Sequence, residues 1–185
     1  SFAAGIAETQ AVFAERLACA ARCNYVLLSS DSQSVCGYVT AEIWDAAQFD
    51  PALFSLGHSV REQHRPDGTT LYISSFALLP EVRGIRIPRS ALSIESRASK
   101  AGADTAQGKP TIGLAALFFT TVLERIGAAF PQLERIVLLV HEEWHNALAL
   151  YEKYGFTPIQ TLDRFAWFGG KRAFVYEKMI SNKPL

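Results

Sequence analysis

The chain has 185 residues, of which 49% are hydrophobic and 19% charged, the composition of an ordinary globular protein long enough for one full hydrophobic core. Eighteen basic and eighteen acidic residues cancel, which excludes a bulk attraction to nucleic acid or to an anionic membrane surface and leaves any anion site to local patterning. No apolar run approaches the roughly 20 residues of a membrane-spanning helix, and no charged leader with an apolar segment behind it is present, so a cytoplasmic protein with no membrane partner is expected.

Thr9 to Asn24 has apolar residues at helical spacing with a polar face, which predicts a helix. Cys19 and Cys23 fall one turn apart in it and, with Cys36, are read as buried thiols of a reducing compartment, because three cysteines cannot pair completely. YVLLSS and SVCGYVTAEIW flank the turn segment DSQ and predict an antiparallel hairpin. Asp45 to Thr70 carries Asp50-Pro51 and Pro66-Asp67-Gly68 as turn signals and reads as a long connection with one short helix.

Leu71 to Leu79 is a strand stopped by Pro80. Ile112 to Ile126 is apolar almost all round, as suits a helix covering a sheet, and RIVLLV, Arg135 to Val140, is a β-branched strand ending at His141. A helix from about Glu142 to Tyr154 is closed by Gly155, in the position a helix C-terminus favours. FTPIQTL and RFAWFGGKRAFVYEKMI have strand composition around a turn at Gly169-Gly170.

HEEWHN, His141 to Asn146, contains the H-E-x-x-H pattern of zinc proteases. That chemistry needs both histidines on one helix face, one turn apart, with the glutamate activating the metal-bound water. Here the first histidine ends a strand and the second lies in the following helix, so no metal site is expected. The segment between strand and buried helix, Arg83 to Lys109, is the other anomaly: long, and rich in Ser, Ala, Arg and Gly. Loops of this length inside a compact domain are usually functional or disordered. Arg83, Arg86, Arg89, Arg97, Lys100 and Lys109 outnumber Glu81, Glu95 and Asp104 there, a positive patch on a neutral chain.

The order of hairpin, strand ending LLPEVRG, helix opening TIGLAAL, strand VLLV and helix ALALYEKYGF resembles the GCN5-related N-acetyltransferase superfamily over roughly Asn24 to Ile180. The resemblance implies an α/β (α+β) fold: a mixed, mostly antiparallel sheet flanked by helices, with a central strand-helix-strand unit, in a single domain over 1–185 with an insertion at about 85–108. A first strand that the family normally has finds no counterpart before Thr9, as expected of a domain cut from a longer protein; a homodimer is the other assembly expected. The implied donor is acetyl-CoA or another acyl-CoA, without a metal. In the family, the segment matching Leu78, Leu79, Arg83 and Gly84 ends the strand that hydrogen-bonds the pantetheine arm, and a glycine-rich turn into the next helix cradles the pyrophosphate. The matching residues here are Lys109, Thr111, Ile112, Gly113 and Leu114, with the insertion separating PEVRG from GKPTIG. Backbone N–H groups at a helix start, with the helix dipole, make such an anion site on physical grounds alone.

The second motif matches at Ala147, Leu150, Tyr151, Gly155 and Phe156, with Trp144 in the place of the family's usual Asn. The matching tyrosine lies near the thioester sulfur in the family, which makes Tyr151 the candidate general acid and Trp144, Ala147 and Lys153 candidate CoA contacts. An amine acceptor must lose a proton before attack. The strand LYISSFALL has no acid; Ser74 and Ser75 could position a water, and His141, an imidazole titrating near neutrality, is the candidate base. The expected activity is an acyltransferase of N-acetyltransferase type acting on a small-molecule, peptide or protein amine. The alternatives are a longer-chain acyl transfer from acyl-CoA or an acyl-carrier protein, and a non-catalytic CoA-binding module.

Overall fold

A computed structural model of the chain describes residues 8–45, 54, 58–92 and 110–180. Thr9, in extended conformation, caps the first helix, α1 (Gln10–Cys19), its hydroxyl accepting the Val12 N–H at 3.4 Å. The predicted hairpin forms as β1 (Tyr25–Leu28) and β2 (Val35–Trp44), antiparallel as expected. The following connection contains one short helix, α2 (Val60–Gln63), and leads into β3 (Thr70–Leu78), antiparallel to β2.

Beyond β3 the structure departs from the sequence pattern: Thr111, Ile112 and Gly113, predicted to open a helix, are a short strand, β5 (Thr111–Gly113), paired antiparallel with β4 (Arg86–Pro88). The two ends of the insertion are thus zipped together, and α3 (Leu114–Ala129) starts directly after the zip. Residues 93–109, which include Arg97, Lys100, Gly108 and Lys109, lie outside the described part. The remaining elements are β6 (Arg135–His141), α4 (His145–Lys153), β7 (Thr157–Phe165) and β8 (Lys171–Met179), as the sequence predicts.

Six strands form one mixed sheet in the order β1-β2-β3-β6-β8-β7, every neighbouring pair antiparallel except β3 with β6. A parallel pair needs a crossover connection, and α3 supplies it. Alternation along the strands sorts the core into two faces. Val39, Ala41, Ile43, Leu71, Ile73, Ile136, Leu138 and Val140 pack against Phe118, Phe119, Val122 and Ile126 of α3. Trp44, Tyr72, Val137, Ala173 and Val175 form the opposite face with Phe54, Leu162, Phe165 and Phe168. Of the three free cysteines only Cys23 is fully buried, and burial pushes its thiol up to about 12; Cys19 and Cys36 are half-buried. No helix among the described residues is long and apolar enough to cross a membrane.

Candidate functional site

The pairing of β3 with β6 lasts only from Thr70–Arg135 to Ile73–Leu138. After that β3 stays with β2 and β6 stays with β8, so the two central strands part and leave an opening in the middle of the sheet. The parting coincides with a β-bulge. The β2–β3 register steps from Ala41–Ile73 to Thr40–Ser75, which makes Ser74 the extra residue. A bulge bends its strand and increases the local twist, and here it turns β3 away from its parallel partner.

Leu79 N–H donates to the Cys36 carbonyl at 2.8 Å, so in the alternating antiparallel pattern Ala77 and Ser75 also bond β2, and the backbone groups of Phe76 face the opening. The Leu78 N–H faces it too, while the Leu78 carbonyl accepts Arg83 Nε at 3.0 Å. Two expectations change accordingly. Both backbone groups of Leu79 are used, its carbonyl by the Val82 N–H at 3.2 Å, so Leu79 cannot pair with a ligand in strand fashion. Phe76, not singled out in the sequence, has both backbone groups turned away from β2 toward the opening. Arg83 secures the strand end, and Gly84, at φ +77°, makes the turn behind it.

At the start of α3 no side chain caps the helix and no acid stands in its first turn. The Leu114 N–H is spent on the Ile85 carbonyl at 2.8 Å, so Leu114 is not an anion contact through its backbone. The Thr111 hydroxyl and carbonyl accept from Arg86, at 2.7 and 3.4 Å. Ile112 pairs with Ile87 in the ribbon, which removes it from the helix start. The donors that remain are the N–H groups of Ala115 and Ala116, which no intrahelical carbonyl can reach, and those of Thr111 and Gly113, which stand at the non-bonded pairs of the ribbon. Gly113 precedes the helix at φ −68°, and a Cβ there would meet nothing within 4 Å. Among the described residues nothing demands a glycine at this position, and no described atom fills the space beside it.

In α4, Gly155 at φ +84° closes the helix with its N–H on the Glu152 carbonyl at 3.1 Å and the Phe156 N–H on the Tyr151 carbonyl at 3.0 Å. This is a Schellman closure, completed by the Tyr151–Phe156 ring contact at 5.8 Å. Tyr151 is buried and reaches the parted strand through one intermediary: its ring lies 5.5 Å from Phe119, which lies 5.3 Å from Phe76. Its hydroxyl makes no hydrogen bond among the described residues, and burial raises its pKa above the ordinary phenol value. Trp144, just before α4, and Ala147 are half-buried at the helix start. Lys153 is not brought to this group. It stands about 13 Å along the helix axis from Trp144 and holds its ammonium over the Tyr154 ring.

His141 ends β6 on the opposite face from Tyr151, between the rings of Trp144 (5.6 Å) and Phe168 (4.9 Å). Its Nδ1 accepts the Glu143 N–H at 3.0 Å. A neutral imidazole has one lone pair, and this bond takes it, leaving Nε2–H as a donor. His141 is therefore arranged to donate a hydrogen bond rather than to accept a proton. The rest of HEEWHN ties the strand end together: Glu142 accepts the Arg172 N–H at 2.9 Å, Glu143 pairs with Lys171, and His145 is the exposed first residue of α4. With one histidine on a strand and the other opening a helix, the shared helix face of a zinc protease does not form.

A charged group that the sequence pattern does not reveal lies on the His141 face. Arg16 of α1 is 1% exposed and Glu42 of β2 is 0% exposed. Arg16 hydrogen-bonds Glu8 and Ser74 and stands 3.7 Å from Glu42, which also pairs with His58. The Ser74 hydroxyl donates to the Thr40 carbonyl at 3.0 Å and lies 2.9 Å from the Thr40 hydroxyl. Its bonding capacity is filled, so Ser74 pins the bulge and does not hold a water. Ser75 instead donates to the Tyr38 hydroxyl at 3.3 Å. Burial raises the pKa of Glu8 against the opposing pull of Arg16. Glu42 shows in the sequence only as an acid inside an alternating strand, T-A-E-I-W, and Arg16 only as one polar residue of a helix.

No family model and no curated protein sequence matches the chain. Its structure is similar to that of the GphF GNAT-like decarboxylase in complex with isobutyryl-CoA, at 13% identity over 96% of this chain and 88% of that one, with a TM-score of 0.64. It is similar to the loading GNATL domain of CurA from Lyngbya majuscula, at 11% identity over 98% and 88% with a TM-score of 0.65. It also matches the NatC complex bound to Gag peptide and CoA, at 15% identity over 95% and 83% with a TM-score of 0.61. The parted central strands, the helix that crosses between them and the helix carrying Tyr151 are set in the fold of the GCN5-related N-acetyltransferases.

Proposed function

We propose that the chain is an acyltransferase that takes its acyl group from acyl-CoA, with an amine as acceptor. The observation that carries this reading is the parting of β3 from β6 at the Ser74 bulge, which leaves the backbone of Phe76 and the Leu78 N–H without strand partners in mid-sheet. An extended ligand with amide groups can take the missing strand's place there. The pantetheine arm of CoA is such a ligand, and two of the structures named above hold CoA or an acyl-CoA.

In this reading the pyrophosphate lies over the N–H groups of Ala115 and Ala116 beside Gly113, favoured by the positive end of the α3 dipole. The thioester lies near the bulge, Tyr151 faces the departing sulfur from the α3 side, and the Nε2–H of His141 serves the carbonyl oxygen as charge builds on it. The acceptor amine attacks from the His141 face, its nitrogen bonding to the acyl carbon as the carbon–sulfur bond breaks.

A second reading, decarboxylation of a carboxyacyl-CoA, is favoured by the same histidine. Loss of carbon dioxide leaves an enolate on the thioester, which needs a hydrogen-bond donor and no amine-directed base, and His141 is built as a donor. The GphF protein bears the name of a decarboxylase.

Calorimetric titration of the purified chain with CoA, acetyl-CoA, malonyl-CoA and palmitoyl-CoA tests both, with zinc measured on the same sample. Tight acetyl-CoA binding without metal supports acyl transfer, and preference for palmitoyl-CoA moves the donor to long chains. Carbon dioxide release from malonyl-CoA with no amine present selects the second reading, and failure of all four ligands to bind refutes both.

A further inference from the structure

β1 covers the outer edge of β2 only as far as the Tyr25–Val39 pair. Beyond it, Ile43 turns both backbone groups away from β3, and both are taken by the chain that follows α2. The Arg65 N–H donates to the Ile43 carbonyl at 2.7 Å, as a neighbouring strand would. The Ile43 N–H instead meets a side chain, donating to Nδ1 of His64 at 3.0 Å. The seat is close, since a Cβ on Gly68 would lie 2.6 Å from the Trp44 carbonyl oxygen. Upstream, the same segment is tied to α1, where Glu15 accepts the Ser59 hydroxyl at 3.1 Å and the Arg61 N–H at 3.2 Å. It also holds His58 against Glu42, with the Trp44 and Tyr72 rings each 6.0 Å from the His58 ring.

We propose that His64 is a proton-operated latch: its neutral ring fastens residues 58–68 to β2, and its protonation releases them. Only a neutral imidazole has a lone pair to offer, and both nitrogens of an imidazolium are donors. Protonation therefore removes the acceptor of the Ile43 N–H and sets two donors against each other, at a residue that is 0% exposed. Release carries His58 away from Glu42 and uncovers the Trp44 and Tyr72 rings on the His141 face. Burial holds the His64 imidazole below its ordinary 6.5, with Glu42 pulling the other way and Arg65 adding to the effect. The proton thus prefers the opened or unfolded chain, so the latch contributes above pH 6.5 and is lost as pH falls through the lowered value. The other charged or titratable groups of the elements packed here are Asp45, which pairs with Arg65, Tyr72 of β3, Arg61 and Glu62 of α2, and Glu15 and Arg16 of α1. Protonation of His58 acts in the opposite sense, because its partner is a carboxylate and the added charge tightens the segment.

The test is amide hydrogen exchange on the full chain at pH 7.5, 6.5, 5.5 and 4.5, each rate referred to the intrinsic rate at that pH, with the His64 ring followed by NMR. The latch predicts that protection of the Ile43 and Arg65 amides falls at least tenfold as His64 takes its proton, while Leu138 in β6 stays within twofold. His64→Asn puts an amide oxygen in the place of Nδ1 that accepts at every pH, so Ile43 protection in that variant should vary less than threefold. Protection of Ile43 that stays flat through the His64 titration overturns the proposal, as does an equal fall in His64→Asn or a fall shared by Leu138. Where the variant does not fold, the parent protein decides: nitrogen-15 shifts of the His64 ring at pH 7.5 must show the proton on Nε2, and a proton on Nδ1 overturns the latch.

Discussion

Replacing Tyr151 with Phe separates two roles that the hydroxyl could play. Burial raises its pKa above the usual value near 10, whereas a thiol is half-ionised near 8.5. Full proton transfer from this phenol to a departing thiolate is therefore uphill, and what the hydroxyl can give is a hydrogen bond to the developing charge. Such a bond is worth about 1.5–3 kcal/mol, which at 1.36 kcal/mol per decade is a loss of about 10- to 150-fold in turnover. Folding should hardly change. The ring contacts with Phe119 and Phe156 survive, and no hydrogen bond to the described residues is broken. The assay is thiol release at saturating acyl-CoA, with acyl-CoA affinity expected to stay within about twofold, because the interaction forms in the transition state. A loss of a thousandfold or more would show that the proton is transferred outright and the burial argument is wrong. A loss under twofold would take Tyr151 out of the mechanism.

Gly155→Ala puts a Cβ on a residue at φ +84° with its nearest heavy atom 4.0 Å away, so the cost is conformational, about 1–2 kcal/mol. At about 2–4 °C per kcal/mol for a chain of this size, thermal melts should show Tm lower by about 2–8 °C. Gly113→Val should fold normally, since that Cβ meets nothing within 4 Å among the described residues, yet weaken CoA at least tenfold in calorimetry if the pyrophosphate lies there. For Glu8→Gln the sign follows from a folded-state pKa above the ordinary 4.5. The folded protein holds this proton more tightly than the unfolded chain, so the contribution is present below pH 4.5 and lost as pH rises through the folded value. Melts at pH 4, 5.5 and 7 should show the variant gaining on the parent protein as pH rises.

What could be read from the sequence was what depends on local pattern. The strand Arg135–His141 follows from a β-branched run, and the closure at Gly155 from a glycine just past the last helical apolar residue. The ribbon of β4 and β5 was not legible, because three-residue strands carry too little periodicity and their partner residues, Arg86 and Gly113, lie far apart in the chain. That one omission displaced the predicted helix start from Leu114 to Thr111. Arg16 was not legible for a different reason. A helical wheel assigns an arginine to water, and only Glu8, Ser74 and Glu42, separated from it by up to 58 residues, let it be buried. The role of the His141 Nδ1 as an acceptor was equally invisible, since it is set by one backbone N–H two residues on.

The bulge at Ser74 connects these features. A parallel pair of strands has no intrinsic reason to part after four residues; the extra residue supplies it, and the extra residue is fixed by Arg16 from one side and Thr40 from the other. The opening in the sheet is thus held by buried charges, since Arg16, which bonds Ser74, is itself paired with Glu8 and stands 3.7 Å from Glu42. The two candidate partners of a thioester stand on opposite sides of that opening, Tyr151 among the α3 residues and His141 among Trp144 and Phe168. Attack from one face with departure toward the other needs this division. A single-sided pocket would bring the incoming nitrogen and the outgoing sulfur to the same place.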